Sequence, residues 1–137
     1  TADFNVAVGA QSCIQLTEGN NNVAIGTNAL NAATTQDECI AIGRDALTAL
    51  SHDDADGSIG IGFEALNAMQ AGTGNIALGY QAMKGANHAD ADNNIAIGAN
   101  AMDGVSTNGA ANHIAIGTDA LGGSLTGDTN LAIGYQS

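Results

Sequence analysis

One short pattern returns eight times along this chain: a polar residue, an aliphatic residue, Ala, a second aliphatic residue, Gly, two variable residues, and then Ala-Leu or Ala-Met in most copies. The copies read NVAVG, NVAIG, CIAIG, SIGIG, NIALG, NIAIG, HIAIG and NLAIG. Their glycines are Gly9, Gly26, Gly43, Gly62, Gly79, Gly98, Gly117 and Gly134, and each lies 17 or 19 residues after the one before. A fixed period of this kind marks one small structural unit stacked on its neighbours, because a single unit cannot bury its own apolar face. The period changes by two and never by one. A strand alternates faces every residue, so an even step preserves which side chains share a face.

The columns of the repeat point to β-structure. Three residues before each glycine stand Val6, Val23, Ile40, Ile59, Ile76, Ile95, Ile114 and Leu131. One residue before it stand Val8, Ile25, Ile42, Ile61, Leu78, Ile97, Ile116 and Ile133. These two columns share a strand face, and their β-branched character predicts a buried, inward-facing one. The opposite face carries Ala or Gly throughout, which suits close approach of another strand, layer or chain. Beyond each glycine, pairs such as Ala29-Leu30, Ala46-Leu47 and Ala82-Met83 supply a second inward anchor; the first copy has Ser12-Cys13 there. These segments are short for helices and end in Gly, Thr, Ser or Asn, so strand or extended turn is the preferred reading. The expected fold is all-β: a parallel β-solenoid of about eight coils in one repeat domain over residues 1–137. At roughly 4.8 Å per layer the rod is roughly 35–40 Å long. Asn5, Asn22, Asn75, Asn94 and Asn130 fall in one column and predict a side-chain amide ladder.

Composition agrees. Trp and Pro are absent, aromatic residues make up 3%, and there are 19 glycines, so the core is built from many small layers. Fourteen acidic residues against Arg44 and Lys84 give a net charge of −12, which argues against binding nucleic acid or an anionic membrane surface. There is no apolar run near transmembrane length. The start at Thr1 and the lack of a visible polar cap suggest a piece of a longer fibre or a unit that stacks end to end.

Segments such as NVAIGTNAL, NIALGYQAM and NLAIGYQS resemble the NxAIGxxA repeats of YadA-like heads in trimeric autotransporter adhesins, and are similar also to repeats of phage tail fibres. The resemblance covers the whole chain. It implies a left-handed β-roll, a homotrimer around one axis, an extracellular or virion location, attachment to a host-surface glycan or protein, and no catalysis. The coils here are longer than the adhesin-head repeat, a form closer to phage-type fibres.

Candidate sites lie where the repeats differ. Two loops share His-x-Asp-Ala-Asp: His52 to Asp56 and His88 to Asp92. Asp54 with Asp56, and Asp90 with Asp92, place carboxylates two apart, as in oxygen-ligand Ca²⁺ loops. A solvated acidic turn is the preferred reading of both. In the column after the motif glycine, Arg44, Phe63 and Tyr80 occupy successive layers, and such a stripe can hold a sugar or peptide or serve only as a structural ladder; the ladder is preferred. The next column is polar throughout and brings Asp45 and Glu64 into adjacent layers, read as a solvent-facing column and not a paired-carboxylate active site. Cys13 and Cys39 fall in different columns two layers apart, too far for a disulfide, with Cys13 replacing a Leu and Cys39 sitting in the Asn ladder. Nothing matches a zinc spacing, a phosphate-binding loop or a nucleophile elbow. The expected function is therefore a structural or adhesive fibre segment, with a self-assembling filament as the alternative and no cofactor beyond Ca²⁺.

Overall fold

Each motif forms one three-residue strand, in order β1 (Val6–Val8), β2 (Val23–Ile25), β3 (Ile40–Ile42), β4 (Ile59–Ile61), β5 (Ile76–Leu78), β6 (Ile95–Ile97), β7 (Ile114–Ile116) and β8 (Leu131–Ile133). In the computed structural model, which describes residues 2–52, 55–86, 91–104, 111–123, 127 and 129–137, these strands make a single parallel sheet in sequence order. The chain is thus a β-solenoid. The motif columns are in register at every step, as in Ile40 with Ile59 and Ile42 with Ile61. Coils of 17 and 19 residues carry strands of equal length, so the extra pair is absorbed outside the strands. Backbone bonds alternate between the two neighbouring coils: Ile40 N–H donates to the Ser58 carbonyl at 2.9 Å, and Gly43 N–H to the Ile25 carbonyl at 2.8 Å.

The expected direction of the sheet is reversed. Ala24, Ala41, Ala77, Ala96 and Ala115 are fully buried inside the solenoid. The two aliphatic columns face outward; even in the middle of the rod Ile76 and Leu78 are 36% and 44% exposed. The physical reason is lumen width. Sheets packed through large side chains stand about 10 Å apart, whereas a coil this short encloses a thinner space. The turn after each motif glycine fills that space with Leu30, Leu47, Leu66, Met83 and Met102, all fully buried. The strand opposite has room only for Ala. At Gly60 the fit is closer still, for a Cβ there would lie 3.2 Å from Leu47 Cγ.

The segments after the motif glycines are turns, and no helix occurs among the described residues. They reverse the chain through left-handed backbone. In the second coil Asn28 has φ 57° and Leu30 φ 52°, and the equivalent residues of other coils repeat this, including Asp45, Leu47, Glu64 and Leu66. Asn and Asp tolerate this region better than other non-glycine residues. The composition of the polar column therefore reflects backbone conformation in part, a reason beyond the solvent contact expected for it. Leu carries a conformational cost there, offset by full burial and by bonds such as Leu30 N–H to the Ala46 carbonyl at 3.1 Å. The motif glycine answers a separate constraint. Gly26 has φ 134°, and a Cβ on it would lie 2.5 Å from the Gly43 carbonyl oxygen.

Candidate functional site

The column after the motif glycine stands at the end of each strand, where the sheet turns into the Leu-bearing segment. In-register stacking brings its third, fourth and fifth members together. The Arg44 guanidinium lies 4.4 Å from the centroid of the Phe63 ring. Phe63 in turn stacks on Tyr80, with ring centroids 5.3 Å apart and planes 27° from parallel. Phe63 is thus sandwiched between a cation and a second ring, and Tyr80 ends the stack with 52% of its surface exposed. The three residues singled out from the sequence form one continuous stripe. The stripe stops at Tyr80: the next coil carries Ala99 and the one after carries Thr118, so no ring or guanidinium extends the stack.

The polar column runs beside the stripe, and its charges are partnered. Asp45 accepts the Asn28 amide at 2.8 Å and lies 3.6 Å from Arg44. Glu64 accepts the Gln81 amide at 2.6 Å and the Lys84 ammonium at 2.7 Å. The bond from Lys84, followed by that from Gln81, lowers the Glu64 pKa from its ordinary value. Asn100 donates to Asp119 at 3.1 Å. Asp45 and Glu64 are therefore each held by their own donors. Lys84, five residues after Gly79, reaches Glu64 from one layer away, a pairing that alignment of the columns does not announce.

The acidic loops fall into a different column, six residues before the motif glycine. Asp56 Oδ1 accepts the Asp37 N–H at 2.7 Å, and Asp92 Oδ1 accepts the Thr73 N–H at 2.8 Å. Asn20 and Asp37 continue the same pattern at one coil's distance. Two of the four carboxylates considered for Ca²⁺ thus accept backbone bonds from the preceding coil, and the layer of Thr73 separates them. Asp54 and Asp90, with Asp53 and His88, lie outside the described residues. Among the described residues no three His, Cys, Asp or Glu side chains converge as a metal site.

The amide ladder forms with interruptions. Asn22, Asn75 and Asn94 are fully buried. Asn94 donates both its backbone N–H and its side-chain amide to Asn75 Oδ1, at 3.0 and 3.1 Å. Cys39, Ser58 and His113 replace Asn in the other buried layers, and His113 Nδ1 accepts the Asn130 N–H at 3.0 Å. Both cysteines are free; Cys39 is buried, and Cys13 is half-buried in the Leu column. A shallow depression of about 520 Å³, lined by Asp103, Asp119, Leu121, Gln136 and Ser137 among others, contains none of the stripe residues.

No protein-family model, curated protein or solved structure matches this chain.

Proposed function

We propose that this chain is a structural and adhesive segment of a fibre, of the kind found in trimeric surface adhesins and phage-type tail fibres, and that it works as a homotrimer on a cell or virion exterior. The observation that carries this reading is the outward aliphatic face. Every strand presents its first and third residues on the outside, so two ladders of Ile, Val and Leu run the length of the rod. Continuous exposed apolar surface on this scale marks an interaction site. A second and third copy offer the same straight, in-register ladders, and a cyclic arrangement around an axis parallel to the rods closes without leaving a face open. The surrounding surface, with its net charge of −12, opposes indiscriminate association. The reading assigns no catalysis to the chain.

Mass in solution tests it. Sedimentation equilibrium should give three times the chain mass, and Ile42→Asp with Ile61→Asp should reduce it to one. Unpaired carboxylates in that interface cannot be desolvated cheaply, while the interior Ala and Leu columns are untouched. A chain that is monomeric at all concentrations overturns the reading. Long polymers under the same conditions replace it with the end-to-end filament.

A further inference from the structure

We infer that the outer ring face of Tyr80 is a stacking platform for a pyranose ring of a neutral glycan, seated in the layer where Ala99 leaves the column short. Phe63 covers one face of Tyr80 at 5.3 Å. The other face must therefore look toward the next coil, and there the column holds only a methyl group, at Ala99, and then Thr118. Tyr80 is 52% exposed despite its stacked neighbour. The next aromatic residue in the column, Tyr135, is three layers away, about 14 Å at the usual strand spacing. A ring one layer thick fits over Ala99 without meeting another large side chain. It would extend the series Arg44, Phe63, Tyr80 by one member.

The chemistry beside this gap selects a sugar. A pyranose offers an apolar face of C–H groups and an edge of hydroxyls, so it needs an aromatic surface with hydrogen-bonding groups alongside. Tyr80 supplies the surface. The adjoining polar column supplies amide and carboxylate groups at Gln81, Asn100 and Asp119, the last two already joined at 3.1 Å. Sites of this kind combine an apolar wall with a few placed polar groups. The stack is also firm. Arg44 lies 4.4 Å from Phe63 on its far side and Phe63 stacks on Tyr80, so the Tyr80 ring is already held on one face and less is lost in fixing it when a ligand binds. The net charge of −12 disfavours acidic sugars and favours neutral ones.

This inference gives the proposed fibre segment an adhesive surface, and it rests on that reading only for its setting, since every group named belongs to one chain. The test is titration of the full chain with cellohexaose, chitohexaose and lacto-N-neotetraose at millimolar concentration, followed by the NMR signals of the Tyr80 ring and by calorimetry. At least one should bind and shift the Tyr80 signals. Tyr80→Ala should weaken that binding about tenfold or more. Ala99→Arg should abolish it by covering the outer ring face of Tyr80 with a guanidinium, as Arg44 covers Phe63, while leaving no new aromatic face for the sugar. Two controls accompany both variants: thermal unfolding, to show the solenoid is intact, and sedimentation, to report assembly separately from binding. Failure of all three sugars to bind overturns the inference, as does binding that both variants leave unchanged. Loss of assembly in Tyr80→Ala also overturns it, and assigns the stripe to contacts between protein chains instead. A monomeric parent chain that binds sugar leaves this inference standing while removing the trimer.

Discussion

The backbone N–H of Cys39 donates to Oδ1 of Asn22 at 2.9 Å, and Cys39 itself stands where the next amide of the ladder would be. Its thiol occupies the two roles an amide would fill. Sγ lies 3.4 Å from the Ala55 carbonyl, the position that Gln36 and Ala91 offer to the Asn22 and Asn75 amides at 2.7 and 2.5 Å. The Ser58 N–H approaches it from the following coil. Cys39→Asn should therefore complete both bonds and raise stability by about 1 kcal/mol. Urea denaturation compared with the parent chain checks this; an unchanged or lowered midpoint means the layer is too narrow for an amide.

Burial pushes the Cys39 thiol up from its ordinary value of 9.0 to about 11. Between those values the folded chain holds a proton that the unfolded chain has released, so stability falls as pH rises through this window and is fully present below it. The parent chain should lose roughly 2–3 kcal/mol more than Cys39→Ser between pH 8.5 and pH 11. Denaturation curves at the two pH values measure the difference, and parallel losses in both proteins would contradict the burial of this thiol.

Leu47 and Ala41 face one another's side of the same narrow lumen, and both are fully buried. Leu47→Ala should destabilise by about 2–5 kcal/mol through the cavity it leaves. Ala41→Leu should destabilise by about 1–3 kcal/mol through overpacking. If the aliphatic columns faced inward instead, Ala41→Leu would lie outside and cost little, so thermal unfolding of this variant reports which way the sheet faces.

Gly26→Ala places a Cβ against the Gly43 carbonyl at a backbone angle of φ 134°. It should cost more than about 1 kcal/mol. Gly123→Ala is the control, because nothing lies within 4 Å of a Cβ there, and it should stay within about 0.5 kcal/mol of the parent. Equal effects at the two sites would remove the packing explanation of the motif glycine.

Much of the candidate site was legible because a solenoid converts sequence spacing into spatial position. Once Gly43, Gly62 and Gly79 are aligned, the neighbours Arg44, Phe63 and Tyr80 have to fall in successive layers, and they do. The ion pair of Lys84 with Glu64 is open to the same reasoning but requires a shift of three columns between layers, which a long side chain supplies. The left-handed turns are harder to see. Leu and Met are poor residues for positive φ, so nothing in Leu30, Leu47 or Met83 announces that conformation; it is imposed by the closure of a short coil around them.

From the sequence alone came the parallel stacking, the register and the column that each residue joins, because spacings of 17 or 19, which differ only by an even step, keep the aliphatic positions of every coil in one alignment. Which face of that sheet turns inward was decided by tertiary structure. Alternation separates the Ile and Val columns from the Ala column but is symmetric between inside and outside. The width of the lumen breaks that symmetry: with Leu and Met already filling it from the turns, Ala is the side chain that fits opposite, and the larger aliphatic residues are left on the outer surface.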